Sequence, residues 1–222
     1  MLKKWIEEIR KHSNLYKTDS WKYHISGNVI EISILPAYLK DRNNYRCSVI
    51  AVGQVLKALS CYIERNQSNF HIQSFPSLEN PGVVASIRID VNSTFVRNST
   101  PSKDKSHKKS DPEKIIQTLA RQYQLDIKQI EQTEILQGNG LSSSDFELWF
   151  ALYSTFNNPF TWLNVGYWKE SIQNDCHDHL SPNEFRVIDF CVDDEAEKPD
   201  LQTPKNRYLQ SLIGLNSTVT TG

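Results

Sequence analysis

The chain carries only four cysteines in 222 residues, at positions 47, 61, 176 and 191, and no Cys-x-x-Cys pair. That count excludes the dense disulfide framework of a small secreted scaffold, and the spacing excludes a closed zinc site built on cysteine pairs. Cys47 and Cys61 have apolar neighbours and are expected to be buried thiols. Excess charge is lacking too. A net charge of -1 and a sequence pI of about 6.6 argue against a general binder of nucleic acid or of membrane surfaces. Apolar runs are short, well below the roughly 20 residues that cross a bilayer. The start, "MLKKWIEEIRKH", has no apolar core or small-residue cleavage site, so no signal peptide is expected. These absences predict a soluble, cytoplasmic chain. A glycine-rich phosphate loop is also missing: Gly138-Asn139-Gly140 has no strand before it and no Lys-Ser/Thr after it, and reads as a turn.

What is present is a mixture of helical and strand-like periods. Leu2, Trp5, Ile6 and Ile9 recur at helical spacing over residues 2–12. Trp21, Tyr23 and Ile25 alternate, Ser26-Gly27-Asn28 offers a turn, and Val29–Leu35 continues as a strand, which predicts a β-hairpin. A helix is expected from about Tyr45 to Glu64, with Asn43 or Asn44 as its N-cap. Two strands follow, around Phe70–Ser74 and Val83–Val91, separated by Pro76 and Pro81-Gly82. Residues 92–112 are rich in Ser, Lys, Asn and Pro and predict a mobile polar loop. Asp111-Pro112-Glu113 is a helix start, for a helix running to about Gln124.

Beyond it, helical segments are expected over Ile127–Leu136, from a Ser144-Asp145 cap to Phe156, and over Thr161–Cys176. Asn157-Asn158-Pro159 would stop the second of these. "NEFRVIDFCVDD" is the last clear strand. The acidic tail, about 194–222, holds one apolar cluster, Tyr208–Leu215, expected as a short helix. No internal repeat is evident. The whole predicts a single α+β domain over 1–222.

Arg42 and Arg46 stand at the mouth of the helix that follows the hairpin. Cations are mildly unfavourable in a first helical turn unless an anion lies among them. Two answers stay open: a bound phosphate held by the guanidinium groups, or carboxylates of the chain itself, with Asp41 adjacent. The small residues Ala51, Gly53 and Ala58 would allow either a ring or another backbone to approach closely.

Trp21, Tyr23 and Gly27, then "VIEI" at 29–32, Asp41-Arg42, Arg46 and Ala51-x-Gly53-x-x-Leu56 form an ordered series. "FPSLENPGVVASIRI" at 75–89 extends it. The series resembles the early part of nitroreductase-superfamily proteins, with the closest likeness to the divergent Acg-like branch, over roughly residues 10–90. The resemblance implies a mixed, mostly antiparallel sheet flanked by helices. It also implies a homodimer, FMN as cofactor and NAD(P)H as reductant of a small electrophile. It makes Arg42 and Arg46 candidate phosphate anchors and places Lys17 and Trp21 near the flavin ring. No residue is assigned as a catalytic acid or base.

The family motif before the tryptophan reads Asn-x-Gln-Pro-Trp, whereas this chain has Lys17-Thr18-Asp19-Ser20-Trp21. An amide donates and accepts toward a flavin edge; an ionised aspartate only accepts. That departure keeps a second function open: a non-catalytic relative that sequesters FMN, or a dimeric binding module without flavin.

Other chemistry is thin. Cys176-His177-Asp178-His179 has no second ligand pair at zinc-finger separation, so no metal is expected. His24 and His71 are isolated imidazoles without a partner for acid–base work. The aromatics of 146–168 could floor a flat ligand, but stripes of this kind serve core or interface packing.

Overall fold

The computed structural model describes residues 2–12, 19–66, 68–77, 79–90, 112–130, 146–177, 185–189 and 204–216. The chain is an α+β protein, and it divides into two compact units, Met1–Lys108 and Lys109–Gly222. The junction falls inside the polar stretch 92–112, which lies outside the described residues up to Asp111.

The first unit runs α1 (Leu2–His12), β1 (Trp21–Ser26), β2 (Val29–Ile34), a 3-10 turn (Pro36–Tyr38), α2 (Arg42–Arg65), β3 (Asn69–Ser74) and β4 (Val83–Asp90). Its four strands form one antiparallel sheet in the order β1-β2-β4-β3. The β1–β2 hairpin closes on the two residues Gly27 and Asn28, between the paired Ser26 and Val29. Gly27 has φ +59° and Asn28 is not left-handed, the type II′ arrangement with glycine first. Ile30, Ile32 and Ile34 of β2 are buried, while Glu31 between them is exposed. One sheet face is therefore core and the other meets solvent, the usual antiparallel alternation. Each fully buried isoleucine contributes about 1.5–3 kcal/mol.

Helix α2 starts earlier than its sequence suggests. Its N-cap is Asp41, not Asn43 or Asn44, and the Asp41 carboxylate accepts from the Asn44 N–H at 2.8 Å. Aspartate caps as well as asparagine and adds a negative charge at the positive helix end. Val49, Val52, Leu56, Leu59 and Ile63 form an aliphatic face, each at most 1% exposed. The opposite face, with Arg46, Cys47, Ile50, Gly53 and Gln54, is buried as well. Helix α1 packs on α2, with the Trp5 and Tyr62 rings 5.6 Å apart, and the Tyr23 hydroxyl donates to Glu7 at 2.7 Å. By length and composition α2 is apolar enough to cross a membrane, although 67% of its most apolar stretch is buried inside the protein.

The second unit runs α3 (Pro112–Gln122), β5 (Asp126–Ile130), β6 (Leu148–Ser154), α4 (Pro159–His177), β7 (Phe185–Asp189) and β8 (Tyr208–Leu215). Its sheet, also antiparallel, has the order β5-β6-β8-β7. Three expected helices are strands instead. "DIKQI" has apolar residues three apart, which imitates a helical period, but it pairs with β6. "LWFALYS" and "YLQSLIGL" are buried on both faces and so show no polar–apolar alternation, and without it periodicity does not distinguish strand from helix. Asn157-Asn158-Pro159 starts a helix rather than stopping one. Asn158 accepts from the Thr161 N–H at 3.0 Å and Pro159 fills the first helical position. The expected face of α4, Trp162, Val165, Trp168 and Ile172, is buried.

The two units share one plan. Each is helix, two strands, helix, two strands, with the closing strand inserted beside the second. A β-bulge falls on the same rung in both: Val84 is extra opposite Ile32/Ser33, and Gln210 is extra opposite Leu152/Tyr153. Both inner helices carry a side-chain cap reaching three residues ahead, Asp41 to Asn44 and Asn158 to Thr161. The repeat that is not evident in sequence is thus present in topology, and the single mixed sheet expected from the resemblance is two antiparallel sheets.

Candidate functional site

The candidate site is the mouth of α2. Leu35 leaves β2 with its N–H on the Ser20 carbonyl at 2.9 Å, tying the entry of β1 to the loop before α2. The 3-10 turn follows, and the Tyr38 hydroxyl donates to Asp19 Oδ2 at 2.9 Å. That bond, with desolvation and the Asp19 charge adding, holds the Tyr38 phenol above the ordinary tyrosine range. On the first turn of α2 the Tyr45 hydroxyl donates to the Pro81 carbonyl at 3.1 Å, and burial raises its pKa. Gly82 completes the rim. Its carbonyl accepts from Ile34 N–H at 2.8 Å, and a Cβ there would sit 3.1 Å from Asn80 Oδ1 and 3.3 Å from Leu39.

Helix geometry brings Arg42 and Arg46 together. Four residues apart, they lie one turn from each other on nearly the same face, about 6 Å along the axis. Arg42 is exposed and Arg46 is 1% exposed. Trp21, at 2% exposure, is part of the core, opposite Ile34 in the hairpin. Lys17 lies outside the described residues, as do the side chains of Cys176, His177, Asp178 and His179. No metal-binding cluster of His, Cys, Asp or Glu occurs among the described residues. Of the aromatics in 146–168, Phe146, Trp149, Phe150, Tyr153, Trp162 and Trp168 are buried, whereas Phe156 and Phe160 are 65% and 60% exposed.

The thiols also depart from expectation. Cys61 is a thiol outside any disulfide but only half-buried, and Cys47, which is buried, is disulfide-bonded. The Asp19–Tyr38 pair is a feature that sequence reasoning missed. It joins a loop residue to a 3-10 turn 19 positions later, and no periodicity marks such a contact.

The donor set suits a phosphate better than it suits a flavin ring. Two guanidinium groups on successive turns of a helix amino terminus match a doubly charged anion. Asp19, by contrast, offers only a carboxylate, which is already held by Tyr38, and Trp21 is enclosed.

In the second unit the same place has different chemistry. Counting from the caps, Arg42 and Arg46 correspond to Pro159 and Leu163. The nearby cation, Arg207, is committed to Asp126 Oδ2 at 2.8 Å and donates to Thr155 Oγ1 at 3.0 Å. Asn157 Oδ1 accepts from Trp162 Nε1 at 2.6 Å.

No protein-family model matches the sequence, and no curated protein matches it either.

Proposed function

We propose that this chain is a nitroreductase-like, FMN-dependent NAD(P)H oxidoreductase acting on a small electrophile. The observation that carries the reading is the pair Arg42 and Arg46 on successive turns at the capped amino terminus of α2, within the residue series that resembles the family. In this reading the two guanidinium groups hold the FMN phosphate, and the rim at Tyr38, Tyr45 and Gly82 shapes its entry. When bound, the flavin supplies the electron chemistry. The chain supplies anchoring charge and a partly dry mouth in which that charge acts more strongly.

A second reading is favoured by one specific observation. Asp19 stands where the family has glutamine, and its carboxylate is engaged by Tyr38. A site without that amide can retain FMN while reducing nothing, which is sequestration.

Absorbance of the purified protein before and after adding FMN separates these readings. A yellow protein that NAD(P)H bleaches supports the oxidoreductase, and one that stays yellow supports sequestration. A protein that takes up no FMN removes both. Arg42→Gln is expected to weaken FMN retention roughly 10–100-fold, the loss of a charge-assisted hydrogen bond, and unchanged affinity would rule out the anchoring role. The family's usual assembly is a homodimer, so light scattering is expected to give twice the chain mass of 25.6 kDa.

A further inference from the structure

We propose that the outer edge of β3 is a self-complementary interface, through which a second copy of this chain joins the first sheet across a two-fold axis at Ile72. Strand β3 closes one side of the β1-β2-β4-β3 sheet and pairs with β4 from Asn69↔Asp90 to Ser74↔Ala85 with no shift of register. In an antiparallel pair, alternate residues turn their N–H and C=O groups toward the neighbour and the others turn them away. The Phe75 N–H donates to the Val84 carbonyl at 2.7 Å, one rung beyond Ser74↔Ala85. That sets the parity: His71 and Gln73 bond to β4, while Phe70, Ile72 and Ser74 present their backbone groups outward. The far side of β4 agrees, because Ile89, opposite Phe70, sends its N–H to the Asn28 carbonyl in the β1–β2 turn at 2.9 Å. Among the described residues, nothing hydrogen-bonds to the outward groups of Phe70, Ile72 and Ser74.

An open edge is a template for another strand, and proteins blunt such edges with charge, proline, a bulge or a cover. The sequences of the other three outer strands contain charged residues: Lys22 in β1, Asp126 and Lys128 in β5, Arg186 and Asp189 in β7. Strand β3 has neither charge nor proline, and its Asn69, His71 and Gln73 are exposed. Phe70 and Ile72 lie on the core face, paired with the buried Ile89 and Ile87, yet stay partly exposed where the sheet stops. A second copy satisfies each of these features. Centred on Ile72, an antiparallel copy pairs Ile72 with the partner's Ile72, and Phe70 with the partner's Ser74, so every outward N–H and C=O is used. The two isoleucines meet on the core face and extend it. On the solvent face His71 meets the partner's Gln73, so no like charges are opposed. Phe75, at φ +49°, and Pro76 end the strand and limit the joint to the six residues of β3. One edge per chain is consumed, so this isologous pairing closes at two copies.

The interface does not rest on the flavin reading. Sedimentation over a concentration series is expected to give twice 25.6 kDa, a mass that any homodimer shares, so the edge itself must be probed. His71→Lys combined with Gln73→Lys alters only exposed positions and opposes lysines at both His71–Gln73 rungs. It is expected to raise the dimer dissociation constant about tenfold. His71→Glu with Gln73→Glu should do the same alone, and an equimolar mixture of the two double variants should restore the dimer. Circular dichroism separates loss of pairing from loss of fold. Residue-resolved amide exchange on the unaltered chain gives a second readout. In the dimer the amides of Phe70, Ile72 and Ser74 should exchange at least about tenfold more slowly than at monomeric dilution, whereas those of His71 and Gln73, held by β4, should be slow in both. Should a double variant fail to fold, that pattern decides: outward amides that exchange freely at every concentration overturn the interface. So would a chain that stays monomeric, or a dimer that both double variants leave intact; in the last case the family's homodimer stands on another surface. FMN uptake decides the flavin reading whichever way the edge result falls.

Discussion

In the first unit, the outward row of the central strand β2 is Val29, Glu31 and Ser33, partly exposed and faced by Ser86 and Arg88 of β4. At the same rungs of the second unit stand Trp149, Ala151 and Tyr153, faced by Leu212 and Gly214 of β8, and this row is buried. One plan thus carries a solvated sheet in one copy and a sheet covered on both sides in the other. The inner-helix mouths differ in the same way. The first is cationic, with Arg42; around the second, Phe156, Phe160 and Tyr208 are exposed and the local arginine is paired to Asp126. Topology and register alone do not set which face of such a unit is wet. The residue chosen at each outward position does.

The contrast can be broken most forcefully at the buried row. Trp149→Ala should cost about 3–5 kcal/mol of stability, the range for deleting a core aromatic, read as a lower urea midpoint. Its counterpart Val29→Ala should cost much less, because that position is already partly wet. Equal losses would mean that the two faces are not as different as their burial. Gly214→Ala comes next. A Cβ there would run into the Phe146 ring, so the substitution should cost about 1–3 kcal/mol by overpacking. Combining it with Phe146→Ala should cost less than the two changes summed. Arg88→Ala, at the same rung of the first sheet, should stay within about 0.5 kcal/mol. The smallest effect tests what the units share. Asp41→Ala and Asn158→Ala should each lose about 1 kcal/mol, the worth of a helix cap, with Asp41→Asn nearly neutral; thermal unfolding would resolve these.

These differences also explain what could be read from the sequence. The first unit was legible because its sheet alternates: Ile30, Ile32 and Ile34 against Glu31 and Ser33 state a period of two, and Gly27 punctuates it. The second was misread where alternation vanishes. "LWFALYS" and "YLQSLIGL" do not alternate polar with apolar residues because both faces are enclosed, Gln210 and Ser211 being buried with the rest, and propensity alone could not choose strand over helix. At the site, Arg42 and Arg46 were legible because four-residue spacing on a helix needs no tertiary knowledge. The burial of Trp21 and the Asp19–Tyr38 bond depend on how loops close around α2, which leaves no local pattern. The Asp41 cap was missed by a small margin, because two further residues of similar capping power, Asn43 and Asn44, follow within a single turn.

The bulges at Val84 and Gln210 have a consequence for how each unit tolerates change. An extra residue in the closing strand resets the phase of the pleat at one fixed rung, so the inward and outward assignment beyond it is anchored there and not by the length of the chain that arrives. Connectors of very different size can then feed the same strand without turning it inside out. That is what the two copies display: eight residues, 75–82, lead into β4, and eighteen, 190–207, lead into β8.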